Sequence, residues 1–97
     1  MRIALSPQLR DEAVPTVVKQ GDKLTIDGVE YDFSPLGEGA VLPMGAVDCE
    51  WVTGSVTRAE GEIELTLILP HGVDASEAVR FPASLVDPPD GAIVFPA

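Results

Sequence analysis

The sequence predicts an all-β domain, built as two packed antiparallel sheets or as a small open barrel. Nine glycines and nine prolines are scattered along the 97 residues, which favours frequent turns and short helices. Stretches that alternate polar and apolar residues flank two-residue turn signals, a pattern typical of hairpins. The hydrophobic fraction of 45% is enough for a core. We therefore expect a single domain over residues 1–97 with at most one or two short helical turns.

The first part of the chain predicts a brief strand followed by a three-stranded meander. The apolar run at residues 2–5 stops at Ser6 and Pro7, so this strand should be short. Two-residue turns separate the meander strands, which cover residues 16–20, 23–26 and 29–33. The second turn, Asp27-Gly28, is the clearer of the two because both residues tolerate positive φ.

That turn also predicts the register of the two strands that it joins. Ile26 should lie opposite Val29. Leu24 should lie opposite Tyr31, with Phe33 continuing the same apolar face. The other face is polar and carries Thr25, Glu30 and Asp32. One apolar and one polar face are typical of an antiparallel sheet that is covered on one side.

A loop and a second, longer hairpin follow. Residues 34–43 contain two glycines and two prolines and predict a crossing loop, and residues 44–48 predict a single helical turn. Residues 48–70 predict a hairpin with its turn at Glu60-Gly61. The expected pairs on its apolar face are Arg58–Ile63, Val56–Leu65, Gly54–Leu67 and Val52–Leu69.

The last part of the chain predicts one helical turn or a short extended segment, and then an edge strand. Asp74 and Glu77 have the spacing of a helix capping box, while residues 78–81 could instead be extended. Residues 87–91 predict a rigid turn because they contain two consecutive prolines and a glycine. Residues 92–95 predict a final strand that could pair at a sheet edge.

Charge excludes several classes of function. Sixteen Asp and Glu residues against six Lys and Arg residues give a net charge of −10. Nucleic acids and anionic membranes attract basic proteins, so we expect neither as a partner. Acidity that serves only solubility is one interpretation, and a basic protein partner is another.

Targeting signals and a cysteine framework are also missing from the sequence. A single cysteine, Cys49, permits no internal disulfide and no thiolate zinc site. Residues 1–12 contain too short an apolar run for a signal peptide, and no stretch of eighteen apolar residues occurs. We therefore expect the protein to stay in the compartment where it is made, most simply the cytosol.

The residue types used in catalysis do not form a convincing set. His71 is the only histidine, with Asp74 and Ser76 nearby, but the pattern of a nucleophile elbow is missing. His71 is better interpreted as a turn residue. Carboxylates two residues apart, at positions 30/32, 48/50 and 62/64, are typical of solvated strand faces. We predict no catalytic residues, no cofactor and no metal site.

Three segments carry a resemblance to a known family. They are RIALSPQLRD at residues 2–11, LTIDGVEYDFSPLGEGAVLP at residues 24–43 and LTLILPHGVDASEAVRFPA at residues 65–83. In this pattern the chain resembles small, largely uncharacterised proteins that are encoded among the tail and tail-fibre genes of phages and prophages. The resemblance implies a role in tail structure, fibre assembly or virion morphogenesis, and it supplies no functional residues.

The functional hypothesis is a non-enzymatic protein with a structural or assembly role in the tail or tail-fibre region. Its expected partners are other tail or fibre proteins, and its expected location is the bacterial cytoplasm during assembly, with the virion as an alternative. Trp51 and Ile68, which point away from the apolar face of the long hairpin, and His71 are the candidate partner contacts. A core role for Trp51 is the competing interpretation. The alternative function is a small cytosolic module that binds a protein or small ligand through loops 34–43 and 71–80.

Overall fold

Two packed β-sheets form the fold in the computed structural model, which describes residues 1–96. The nine strands are β1 (Arg2–Leu9), β2 (Val17–Gln20), β3 (Lys23–Ile26), β4 (Val29–Asp32), β5 (Val41–Leu42), β6 (Val52–Ala59), β7 (Glu62–His71), β8 (Leu85–Val86) and β9 (Gly91–Ala92). One sheet has the order β5-β6-β7-β1-β8 and the other the order β4-β3-β2-β9. The predicted all-β class is confirmed, and within residues 1–96 neither sheet closes into a barrel.

The five-stranded sheet is mixed because β1 runs parallel to β7, with Ile3 opposite Leu65. Strand β1 continues to Leu9, so the prediction that it ends before Ser6-Pro7 is wrong. The backbone N–H of Arg10 donates to His71 O, so even-numbered residues of β1 face β7 and Pro7 faces the other side. On that side β8 pairs only with Arg2 and Ile3. Pro7 is tolerated because its missing N–H lies at an open edge.

The long hairpin has the predicted turn but only part of the predicted register. Glu60 and Gly61 have φ values of 53° and 78°, as a type I′ turn requires, and Arg58 pairs with Ile63. Beyond Thr57 the register shifts, because the three residues 54–56 lie opposite Leu65 alone. The predicted pairs Gly54–Leu67 and Val52–Leu69 are therefore wrong, since Val52 pairs with Leu67, while Val56 lies inside the irregular segment opposite Leu65. The shift adds two residues to β6, so the alternation of its faces survives.

The meander forms as predicted. Ile26 pairs with Val29 and Leu24 with Tyr31, while Asp27 and Gly28 both have positive φ. Strand β2 pairs with β3 over its whole length, which confirms the third strand. Val29 belongs to the predicted apolar face but is 54% exposed, because it lies beside the turn at the tip of the sheet.

The loops and short elements differ more from the expectations. Residues 44–48 form turns and bends without a helix, and the Ala46 N–H donates to Pro43 O at 3.0 Å. Helix α1 (Glu77–Arg80) is a single turn, which settles the choice between helical and extended structure. Its N-cap is Ser76, whose hydroxyl accepts a hydrogen bond from the Val79 N–H, so the predicted Asp74 capping box is wrong.

The last strand is shorter than predicted. Strand β9 covers Gly91–Ala92 and pairs with β2, whereas the prediction covered residues 92–95. One further hydrogen bond joins the Ile93 N–H to Val17 O at 2.8 Å. Because Ile93 is buried and Val94 is exposed, only the start of this segment is held against the sheet.

The core between the sheets is almost entirely aliphatic, as the small number of aromatic residues predicts. Its least exposed side chains are Ile3, Val17, Leu24, Ile26, Val56, Ile63, Leu67 and Leu69, drawn from both sheets. Phe33 and Trp51 are the buried aromatic residues. Burial of aliphatic surface is the main stabilising contribution in a domain of this size.

Two ion pairs tie peripheral segments to this core. Arg58 Nη2 of β6 lies 2.8 Å from Asp22 Oδ2 in the turn between β2 and β3, so it joins the two sheets. Lys19 Nζ of β2 lies 2.7 Å from Asp90 Oδ1, which also accepts the Gly21 N–H at 3.1 Å. Lys19 is only 8% exposed, which is unusual for lysine and is explained by this partner.

Candidate interaction groove

Trp51 and Ile68, predicted as candidate partner contacts, are core residues in the free chain. They are 6% and 5% exposed, and the Ile68 N–H donates to Trp51 O at 2.8 Å. The guanidinium carbon of Arg10 lies 5.9 Å from the Trp51 ring centroid, within reach of a cation–π interaction. The open end of the long hairpin is therefore covered by the chain itself, with Arg10 over the Trp51 ring.

His71 lies at the end of β7, opposite Leu9 of β1. Its Nδ1 donates to Gly72 O at 2.9 Å, and its own carbonyl oxygen accepts the Arg10 N–H at 3.0 Å. The Ser76 hydroxyl caps helix α1 and accepts the Val79 N–H at 3.3 Å. Over residues 1–96 no group of three or more His, Cys, Asp or Glu side chains is positioned to hold a metal ion.

The first of the two loops in the alternative hypothesis is part of the scaffold. Glu38 accepts hydrogen bonds from the Gly61 N–H at 2.6 Å and from the Glu60 N–H at 3.0 Å, so its carboxylate closes over the hairpin turn. Arg58 Nε donates to Leu36 O in the same loop. These bonds fix the loop 34–43 in one position.

The second loop contributes to an exposed apolar depression of about 390 Å³. Leu9, Arg10 and Val73 line it, and Val73 is 81% exposed. Another depression, of about 540 Å³, lies between residues 78–85 and the C-terminal segment and includes the exposed Phe81. The first is lined by Arg10 and Asp11 as well as by apolar residues, and the second is lined mainly by apolar residues.

A third surface, which we call the β4 groove, combines an apolar floor, charged side chains and backbone N–H and C=O groups without a strand partner. It runs between β4 and residues 42–48 and consists of two adjoining depressions of about 360 and 260 Å³. They share Asp32, Phe33 and Leu42. The apolar part of the lining is Tyr31, Phe33, Pro35, Leu36, Leu42 and Val47.

The charged lining of the β4 groove is entirely acidic. Glu30, Asp32 and Asp48 contribute carboxylates, and none of the described residues that line it is Lys, Arg or His. Lys23 Nζ lies 3.9 Å from Glu30 Oε1, a contact between exposed side chains that neutralises the groove only weakly. Hydrogen bonds from the Ser34 hydroxyl and backbone N–H lower the pKa of Asp32, which keeps this carboxyl ionised.

Tyr31 holds the two walls of the groove together. Its hydroxyl donates to Asp48 O at 3.1 Å, which ties the loop ending at residue 49 to strand β4. A hydrogen bond with Cys49 is the main cause that raises the pKa of Tyr31. The hydroxyl therefore stays protonated and remains a donor at neutral pH.

Strand β4 is also an open edge of its sheet. The Phe33 N–H donates to Asp22 O at 3.0 Å, so in an antiparallel pair the alternate residues Tyr31 and Val29 also face β3. The N–H and C=O groups of Glu30 and Asp32 therefore point outwards, and no backbone partner for them occurs among the described residues. Such an edge is available for pairing with another strand.

Comparisons with family models, curated proteins and solved structures found no match to this chain. The family resemblance of residues 2–11, 24–43 and 65–83 therefore stays a prediction. In the part of the chain that the structure describes, no helix is both long and apolar enough to cross a membrane.

The sequence pattern indicated part of the β4 groove without indicating its role. Glu30 and Asp32 are predicted to lie on a solvated strand face, and both residues are exposed in the structure. Leu42 of β5 and Val47 come from segments whose sequence shows no periodicity, so nothing in the sequence places them beside β4. The order of the strands in the sheet, with β4 at its edge, is the fact that brings these features together.

Proposed function

We propose that this chain is a non-enzymatic interaction protein with a structural or assembly role, and that it binds a partner protein along the β4 groove. The observation that supports this most strongly is the coincidence of an apolar floor, three carboxylates and an unpaired strand edge at one place. Exposed apolar surface rimmed by polar groups is typical of protein interaction sites.

The surroundings of the groove support a binding role because they are held in place. Tyr31 joins one wall to the other, and Arg58 binds the Leu36 and Phe33 carbonyl oxygens beneath the groove. A surface that is ordered before binding loses less conformational entropy when a partner docks. The net charge of −10 would attract a basic partner and speed its encounter.

The family resemblance is the basis for the partners and the location that we propose. Tail and fibre proteins of a phage or prophage are the proposed partners, and the bacterial cytoplasm during virion assembly is the proposed location. A small domain with a fixed docking edge suits a role as a structural adaptor or an assembly factor.

A small binding module that uses the loops remains the second candidate. The depression between Leu9 and Val73 favours it, because the loop that begins at His71 lines this surface and is exposed there. The loop 34–43 supports it less, because Glu38 and Arg58 hold that loop against the hairpin.

Complex formation with phage or prophage tail and fibre proteins, the proposed partners, tests the proposal. The molar mass of each mixture would be measured by light scattering during size-exclusion chromatography, over a range of concentrations. We expect at least one mixture to give a defined complex. A chain that stays monomeric with every one of these proteins would contradict the proposal.

A further inference from the structure

Resting on the proposed interaction role, we propose that β4 accepts an additional strand from the partner, formed by an extended segment in which Lys or Arg alternates with apolar residues. The segment would extend the four-stranded sheet beyond its present edge. Strand addition of this kind derives affinity from backbone hydrogen bonds and specificity from alternate side chains.

The backbone of β4 offers the hydrogen-bonding groups that strand addition needs. Glu30 and Asp32 each direct one N–H and one C=O away from β3, so two residues offer four hydrogen-bonding groups to an incoming strand. The other edge strands, β5, β8 and β9, contain two residues each, whereas β4 contains four. Strand β4 is therefore the longest of the strands that end a sheet, and the open part of β1 beyond Ile3 lacks one donor because it contains Pro7.

The side chains define the sequence of the incoming segment. Residues directly opposite each other in a sheet project to the same face, so partner residues opposite Glu30 and Asp32 would lie beside these carboxylates. Lys or Arg at those positions would pair with them. The partner residue between them would project to the face of Tyr31, towards the apolar lining made by Phe33 and Leu42. An alternating basic and apolar segment satisfies both faces.

The same geometry disfavours a second copy of the chain as the occupant. Antiparallel pairing of β4 with β4 of another copy, centred on Tyr31, would place Glu30 opposite Asp32 of that copy, and like charges directly opposite each other are destabilising. Each copy also carries a net charge of −10. The occupant is therefore a different protein with a basic segment.

Synthetic peptides test this inference with the full chain. The probe is a fluorescein-labelled KVKLKV peptide, compared by fluorescence anisotropy with KKKLVV, which has the same composition and charge but no alternation. We expect KVKLKV to bind at least about tenfold more tightly, because only the alternating order matches both faces. Equal affinity of the two peptides, or no binding of either, would overturn the inference.

Two matched double variants distinguish pairing of the peptide with β4 from the general attraction between a basic peptide and an acidic protein. Glu30→Gln with Asp32→Asn removes the two charges of β4 and keeps its shape, while Glu64→Gln with Asp74→Asn removes two charges elsewhere. We expect the first pair to weaken KVKLKV binding about tenfold or more and the control pair to weaken it by less than about threefold. Equal losses would overturn the inference.

Amide hydrogen exchange identifies the strand addition itself. Saturation with KVKLKV should slow exchange at the amides of Glu30 and Asp32, which are unpaired in the free chain, and should change Tyr31 little. Unchanged exchange at both amides would overturn the inference. A tail protein that forms a complex unaffected by Glu30→Gln with Asp32→Asn would also overturn it, yet would leave the proposed function standing.

Discussion

Arg58 of β6 reaches across the domain to Asp22, with Nη2 2.8 Å from Oδ2, and so connects the long hairpin to the turn between β2 and β3. The same guanidinium donates to the carbonyl oxygens of Leu36, Phe33 and Gly61. One side chain therefore joins both sheets and the loop that follows β4, including part of the floor of the β4 groove.

Replacing Arg58 should destabilise the fold more than replacing an exposed arginine. The variant Arg58→Met leaves the half-buried Asp22 carboxylate and several carbonyl oxygens without their donor. We expect the free energy of unfolding in urea to fall by about 2–3 kcal/mol, since the pair is only partly buried. Arg2→Met is the control, because Arg2 is exposed, and it should cost less than about 0.5 kcal/mol. Equal costs would contradict the role given to Arg58.

Glu38 should stabilise the tip of the long hairpin. Its carboxylate accepts the backbone N–H groups of Glu60 and Gly61, and Glu38→Ala removes both bonds. We expect a loss of about 1–2 kcal/mol in urea unfolding, with faster amide exchange at Gly61. Glu64→Ala, which removes a charge without a backbone partner, is the control for the change in net charge. Unchanged exchange at Gly61 would show that the carboxylate does not hold the turn.

Gly54 should be required for its backbone conformation. It has φ of +76°, and a Cβ added there would meet no atom within 4 Å, so any cost of Gly54→Ala is conformational. We expect a loss of about 1–2 kcal/mol. Gly37 also has room for a Cβ but lacks positive φ, so Gly37→Ala should be neutral or slightly stabilising. A neutral Gly54→Ala would contradict the bulge geometry described for β6.

The ion pair between Lys19 and Asp90 should make stability depend on pH in the acid range. The hydrogen bond from Lys19, followed by that from the Gly21 N–H, lowers the pKa of Asp90 below its ordinary value of 3.8. A carboxyl whose pKa is lower in the folded state stabilises the fold fully above its unfolded pKa. This contribution is lost as the pH falls through the folded pKa.

Urea midpoints measured from neutral pH down through this range check that expectation. The native protein should lose stability below about pH 4, and Asp90→Asn should lose less between the same two pH values. Asp74→Asn is a control for a carboxyl that forms no ion pair in the described structure. Identical acid slopes for the native protein and Asp90→Asn would contradict the assignment.

The hairpins could be predicted from sequence because their turns are local. Asp27-Gly28 and Glu60-Gly61 adopt the positive φ angles that two-residue turns require, and the alternation beside them follows. The bulge at residues 54–56 was missed because it preserves that alternation, and only Gly54 marks it. The turn residues and the alternation therefore predict which segments are strands, but they do not predict the register of the long hairpin beyond its bulge.

Contacts between distant segments could not be predicted in the same way. The parallel pairing of β1 with β7 and the two-residue strand β8 depend on how the chain returns to its N-terminal segment, which no local pattern encodes. Trp51 is likewise in contact with Arg10, forty-one positions earlier in the chain. The β4 groove was missed for the same reason, since its second wall comes from an irregular loop.

Mapping of amide chemical shifts by NMR, during titration with a protein that forms a complex with the chain, tests the central claim most directly. We expect the largest changes at residues 30–33, with further changes at Leu42 and Val47 on the opposite wall. Changes centred on Leu9 and Val73, or on Phe81, with none along β4, would contradict the claim that the β4 groove is the interaction surface.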